Sequence, residues 1–227
     1  MSGRQQFESL LFDLGGVLMD FAAFEELAKL LPEPLGPSAM RAKWLGSGSV
    51  REFELGELAP EEFARRFVDE WALPQTPGGF LSEFRAWLRG FYPGIPQLLD
   101  QLRPRYRLAC LSNTNRVHWA IFESEVRGHL DEALVSFELG MAKPDPAIFH
   151  AALDRLGVEA GEVALFDDSE ANVEAAQQAG LRAELVRGPD ELREALERCG
   201  VLGADSSLRL RRAARAGTSQ AVKESKC

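Results

Sequence analysis

Residues 8–18 read Glu-Ser-Leu-Leu-Phe-Asp-Leu-Gly-Gly-Val-Leu: a short apolar run that stops at an acid, Asp13, and then meets Gly15 and Gly16. A run with no polar residue at alternate positions suits a strand covered on both faces. The pattern recurs. Residues 107–111, 133–137, 163–166 and 183–186 are further short apolar runs, and helix-like segments near 95–102, 170–179 and 190–198 alternate with them. Strands and helices in alternation predict an α/β fold built on a doubly wound parallel sheet.

Residues 21–90 break this rhythm and carry helical periodicity instead. Phe24, Leu27, Leu30 and Leu31 form one apolar stripe, Phe63, Phe67 and Trp71 a second, and Phe80, Phe84 and Leu88 a third. Gly56 ends one helix, and Pro60-Glu61-Glu62 has the proline and acids that open the next. The expected organisation is a core of residues 1–20 and 91–203 with a small helical cap, 21–90, inserted after the first strand. A block inserted there lies over the strand ends, where open α/β sheets bind their ligands. From residue 204 onward, Arg209, Arg211, Arg212, Arg215, Lys223 and Lys226 oppose only Asp205 and Glu224. Residues 204–227 read as a basic, disordered tail.

The chain of 227 residues carries a net charge of -9, which argues against nucleic-acid binding by its core. An acidic protein that handles an anion must build a local positive site from a metal, a lysine or backbone N–H groups. Cys110, Cys199 and Cys227 have no metal-ligand spacing, and Cys110 sits inside an apolar run as a small buried residue. No secretory leader pattern and no membrane-length apolar run is visible, so a cytoplasmic protein that does not engage membranes is expected.

Each strand end presents a particular chemistry. Asp13 is a candidate nucleophile or metal ligand, and the glycines after it let the backbone approach a ligand closely; the plainer alternative is that Asp13 caps a turn. Ser112-Asn113, ahead of a helix, offer anion donors or else only a helix cap. Lys143, held before Pro144, is a candidate phosphate-binding point charge rather than a solvated lysine. Asp167-Asp168-Ser169 place two acids side by side after an apolar strand. A bound cation would relieve their repulsion, and oxygen ligands without histidine or cysteine point to Mg²⁺. An N-cap role would explain one of these acids but not its neighbour.

In order, these four segments resemble the sequence motifs of the haloacid dehalogenase superfamily of phosphohydrolases: Phe12-Asp13-Leu14-Gly15-Gly16-Val17, Leu111-Ser112-Asn113, Lys143-Pro144, and Phe166-Asp167-Asp168-Ser169 through Asn172. The residues 111–118 (Leu-Ser-Asn-Thr-Asn-Arg-Val-His), Leu139-Gly140-Met141 and Phe53-Glu54-Leu55-Gly56-Glu57 are similar to the bacterial alpha-D-glucose-1-phosphate phosphatase branch, itself related to the phosphatase domain of bifunctional epoxide hydrolases. The resemblance implies a Rossmann-like core with a helical cap, and a small phosphorylated substrate, with a sugar phosphate favoured and glucose 1-phosphate among the candidates. It implies that Asp13 attacks phosphorus, with Lys143 assisting. Mg²⁺ would be held by Asp13, the Gly15 carbonyl and Asp168, supported by Asp167. Ser112, the Asn113 backbone and Lys143 would hold the phosphate oxygens.

One position departs from the wider superfamily. Two residues after the nucleophile, most members carry an aspartate that protonates the leaving group; here stands Gly15, as in the glucose-1-phosphate phosphatase branch. Loss of a general acid typically costs about 10²–10⁴-fold. His118, expected on the first turn of the helix after Ser112, is the nearest substitute for substrate contact or proton transfer. Two other readings stand beside a phosphatase: a 2-haloacid dehalogenase, whose chemistry needs no metal, and a catalytically silent domain that binds phosphorylated ligands. Substrate choice is expected to come from the cap, around residues 44–57.

Overall fold

The computed structural model describes residues 7–203; the basic tail expected at 204–227 lies outside the described residues. Seven strands are present there: β1 (Ser9–Phe12), β2 (Met19–Phe21), β3 (Leu88–Phe91), β4 (Arg107–Ser112), β5 (Glu132–Val135), β6 (Val163–Asp167) and β7 (Arg182–Leu185). Five form one sheet in the order β5-β4-β1-β6-β7, with every pairing parallel. From β1 the chain crosses first to β4 and β5 on one side, then to β6 and β7 on the other. The reversal flanks β1, so the crevice beyond its carboxyl end is where such a sheet binds ligands.

Between β2 and β3 lie helices α1 (Ala23–Leu30), α2 (Pro37–Leu45), α3 (Gly48–Glu54), α4 (Pro60–Trp71) and α5 (Pro77–Phe84). Their starts follow local rules: proline opens α2, α4 and α5, and the hydroxyls of Ser47 and Thr76 accept backbone N–H bonds at the heads of α3 and α5. Buried aromatics fill the bundle, with Phe53 stacked on Phe63 at 4.1 Å and Phe67 on Phe80 at 4.7 Å. Val117 of the core joins the same apolar cluster, which ties bundle to sheet.

The expectation of helix throughout 21–90 needs correction at its edges. β2 and β3 pair antiparallel as a two-stranded ribbon beneath the bundle. Leu88 belongs to β3, not to the helical stripe with Phe80 and Phe84. The four-residue step from Phe84 to Leu88 imitates a helical repeat. Gly90, at φ +102°, cannot continue a helix.

Of the remaining helices, α6 (Ile95–Leu102) leads from β3 into the sheet, α7 (Arg116–His129), α8 (Ser136–Leu139), α9 (Pro146–Leu156) and α10 (Glu170–Gln178) lie between its strands, and α11 (Gly188–Arg198) follows β7. Side chains alternate across the sheet. Leu10, Phe12, Leu108, Cys110, Ala164 and Phe166 enter the cluster that holds residues of α6, α7 and α11. Leu11, Ala109, Leu111, Val163 and Leu165 enter the cluster that holds residues of α9 and α10. Both faces are covered, which is why the strands carry no polar alternation. Among the described residues, no helix is long and apolar enough to cross a membrane.

Candidate active site

The loop after β1 is folded tightly by its own backbone. The Asp13 amide donates to the Phe166 carbonyl at 2.9 Å, so the pairing of β1 with β6 carries one residue beyond the strand. The carbonyl of Leu14 accepts from Leu18 and Met19 at 2.9 and 2.7 Å, and the Gly16 amide donates to the Met19 carbonyl at 2.9 Å. Gly188, at the start of α11, donates to the Gly16 carbonyl at 2.7 Å and pins the loop from the far side. Gly16 has φ +77°, and a Cβ there would stand 3.0 Å from Asp168 Oδ2. A glycine is required both by the backbone and by the acid beside it.

Asp13, Asp167 and Asp168 each place a carboxylate oxygen within 4.8 Å of the others. Lys143 Nζ reaches Asp167 Oδ2 at 2.6 Å and Asp13 Oδ1 at 3.2 Å, with its own side chain fully buried. Burial pushes the Asp13 carboxyl well above the carboxylate range; Lys143 pulls it back, Asp167 and Asp168 push it further, and the Ser112 hydroxyl lowers it. Burial alone would lower the Lys143 ammonium, but Asp13 and Asp167 outweigh it and hold the group above its usual range. The Asp168 carboxyl is raised by burial and by Asp167, against the pull of Arg41. One buried cation thus faces three acids, and the half-exposed Arg41 at Asp168 offsets only part of the excess negative charge at the rim of the sheet.

That donor set fits a hard divalent cation: carboxylate oxygens with no sulfur and no imidazole among them. Asp167 is fully engaged, accepting at Oδ1 from the Ser169 amide and Asn172 Nδ2, both at 2.9 Å, and at Oδ2 from Lys143. Asp13 and Asp168 are the acids left with free oxygens, and the Gly15 carbonyl stands outside the backbone bonds that fold its loop. The alternative that Ser169 or Asp168 serves only as a cap finds no support in α10, whose head has no side-chain cap bond.

Asn113 clamps the lysine from below. Its Nδ2 donates to the Lys143 carbonyl at 2.9 Å, and its Oδ1 accepts from the Lys143 amide at 2.8 Å. Ser112 ends β4 with its side chain buried beside Asp13. Neither residue caps the following helix. That task falls to Asn115, whose Oδ1 accepts from Val117 and His118 amides at 3.1 Å each.

His118 lies on the first turn of α7, as its spacing predicts, but its surroundings oppose a role in substrate contact or proton transfer. It is only 2% exposed. Nε2 donates to the Phe84 carbonyl at 2.7 Å, Asn115 Nδ2 donates to Nδ1 at 3.2 Å, and the ring stacks on Phe84 at 4.3 Å. Burial pushes its pKa down to about 4, against the Phe84 carbonyl. Both nitrogens are spent, Nε2 on fastening α5 to α7 and Nδ1 on the residue that caps its own helix.

Two polar residues of the bundle reach the rim without any individual signal in the sequence. Arg41 of α2 extends to Asp168 Oδ2 at 3.5 Å. Glu54, the last residue of α3, feels the charges of Asp13 and Lys143. The only pointer to Glu54 was its place in the 53–57 segment.

A family model for haloacid dehalogenase-like hydrolases matches residues 7–180. The chain belongs to this family. As a haloacid dehalogenase-like hydrolase it has full-length relatives of similar size. D-ribitol-5-phosphate phosphatase of Bacteroides thetaiotaomicron is 28% identical over 190 residues, spanning 76% of this chain and 88% of that one. The phosphorylated carbohydrates phosphatase of Thermotoga maritima is 27% identical over 188 residues, spanning 77% and 82%. A solved structure of a haloacid dehalogenase family enzyme from Bacteroides thetaiotaomicron, in complex with magnesium and inorganic phosphate, superposes with a TM-score of 0.68 at 26% identity, covering 83% of this chain and 98% of that one.

Proposed function

We propose that this hydrolase is a Mg²⁺-dependent phosphomonoesterase acting on a small phosphorylated carbohydrate through an aspartyl-phosphate on Asp13. The observation that carries the reading is the meeting of Asp13, Asp167 and Asp168 within 4.8 Å around the buried Lys143 ammonium. The relatives named for phosphorylated carbohydrates support the substrate class.

Asp13 would attack phosphorus, a role supported by a backbone tied to β6 and a carboxylate oxygen 3.2 Å from Lys143 Nζ. Asp13, the Gly15 carbonyl and Asp168 would hold Mg²⁺, with Asp167 orienting Lys143 and the head of α10. The ion, when bound, supplies positive charge against the phosphate dianion. Lys143 and Ser112 lie beside Asp13 and would take the equatorial oxygens where charge gathers as the P–O bond breaks. Asn113 sets the position of Lys143 and would offer its backbone amide. The helical bundle over the rim serves as the cap that excludes water and selects the alcohol portion of the substrate.

Phosphate release from a panel including ribitol 5-phosphate and glucose 1-phosphate, with Mg²⁺ or with chelator, tests this reading. The expected result is Mg²⁺-dependent release that Asp13→Asn abolishes. Metal-independent halide release from 2-haloacids would replace it with dehalogenation, and phosphate-ester binding without turnover would replace it with a silent ligand-binding domain.

A further inference from the structure

If the chain cleaves alkyl phosphates, the departing alkoxide needs a proton, and the loop after β1 does not supply one. Gly15 has no side chain, and Phe21 packs tightly against the place where one would start. A Cβ on Gly15 would lie 3.3 Å from Phe21 Cβ and 3.4 Å from its Cγ. Phe21 is itself held edge-on by Trp44 at 6.2 Å and by His118 at 6.1 Å. His118 has no nitrogen to spare. The proton must therefore come from elsewhere, and in-line displacement fixes the direction. The leaving oxygen departs on the side of phosphorus opposite Asp13, away from the sheet and toward the bundle.

Glu54 belongs to that bundle, at the end of α3, and is near enough to the rim for the charges of Asp13 and Lys143 to act on it. Phe53 before it is locked into the bundle core against Phe63. Gly56 after it, at φ +80°, abuts the Phe137 carbonyl so closely that a Cβ would come within 2.5 Å, and its own carbonyl accepts from Arg116 at 3.1 Å. Glu54 is thus presented at the seam by a segment anchored to both bodies. Its side chain is half-buried, and among the described residues it has no hydrogen-bond or ion-pair partner. The charged groups around it are Asp13 and Lys143 across the seam and Arg51 on its own helix.

We propose that Glu54 is the general acid of the reaction: it protonates the leaving-group oxygen and then, as a carboxylate, takes a proton from the water that hydrolyses the phosphorylated Asp13. This rests on the phosphatase reading above. In the first step an Asp13 oxygen bonds to phosphorus, the bond from phosphorus to the alcohol oxygen breaks, and the Glu54 proton passes to that oxygen. In the second step water attacks phosphorus, its proton passes to Glu54, and Asp13 leaves as carboxylate with inorganic phosphate. The cycle ends with Glu54 protonated again. Burial and the Asp13 charge push the Glu54 carboxyl up to about 8, against Lys143 and Arg51, so the proton is present at neutral pH.

The test compares Glu54→Gln with wild type, both with Mg²⁺, on an aryl and an alkyl ester. p-Nitrophenyl phosphate has a leaving group that needs no acid. The variant is expected to release a burst of p-nitrophenolate at close to the wild-type rate and then stall, because water is no longer activated. On the sugar phosphate that turns over fastest, alcohol release itself is expected to fall by about 10²–10⁴-fold. A variant as fast as wild type on both esters through repeated turnovers, or one whose first-turnover release falls equally on both, overturns the assignment of Glu54 and leaves the phosphatase reading intact. A wild-type enzyme that cleaves only the aryl ester does the same. Wild-type protein inactive on every ester overturns both. Unchanged thermal unfolding of the variant verifies that the fold is kept.

Discussion

Lys143 carries more of the site than any other side chain, because two buried carboxylates depend on it. With Nζ at 2.6 Å from Asp167 and 3.2 Å from Asp13, its loss leaves both acids facing one another without a cation. Lys143→Met should therefore abolish turnover and also lower unfolding free energy by about 3–5 kcal/mol, read from urea denaturation at neutral pH. An unchanged midpoint would mean that the acids do not rely on the lysine. Gly16 makes a second, smaller demand. Gly16→Ala places a Cβ in left-handed backbone and 3.0 Å from Asp168 Oδ2. It should cost about 1–2 kcal/mol and weaken Mg²⁺ binding measured by calorimetry, since Asp168 must shift. Asp13, Asp167 and Asp168 were legible in the sequence because they stand at the ends of apolar runs, where a polar side chain has little structural reason to be; Lys143 was legible from Pro144, which holds it extended, and Gly16 from its place in the turn after Asp13.

At the scale of elements, the head of α7 is where expectation and structure part. Its spacing from Ser112 put His118 near the substrate, and nothing in the local sequence tells that α5 arrives on top of it. The Phe84 carbonyl that takes His118 Nε2 is 34 residues distant, so the contact depends on how the bundle docks. The docking has a signature in pH. His118 has a pKa of about 4 in the fold, below the usual histidine value of about 6.5, so the unfolded chain binds a proton that the fold refuses. Above pH 6.5 the effect vanishes. Between 6.5 and 4 stability should fall by about 1.4 kcal/mol per pH unit, reaching about 3 kcal/mol. Thermal or urea unfolding across that window checks it, and His118→Asn should lose that part of the slope. An equal slope in the variant would show that His118 is not buried neutral. The ribbon of β2 and β3 escaped notice for a related reason. Phe84 and Leu88 have helical spacing, and only the pairing of Leu88 and Phe91 with Phe21 and Met19 reveals that a strand begins at Leu88.

For the whole molecule, the core was readable from its alternation of apolar runs and helices, because a sheet buried on both faces leaves that mark in every strand. The four site segments were readable for the same reason, since parallel strands deliver their carboxyl ends to one rim. What stayed hidden is what the bundle brings to that rim: Arg41 at Asp168, and Glu54 within reach of the Asp13 charge. Neither lies at a strand end, and their roles exist only once two separately cored bodies meet. The central claim is that the gathering of Asp13, Asp167 and Asp168 around Lys143 makes Asp13 a nucleophile toward phosphorus. Acid quenching of the enzyme during turnover of a phosphate ester, followed by mass spectrometry of the peptide that contains Asp13, tests it most directly. The account predicts a phosphoryl group on Asp13 that is present with Mg²⁺ and lost in Asp13→Asn; phosphate release that proceeds with no adduct on Asp13, or equally well in the variant, would contradict it.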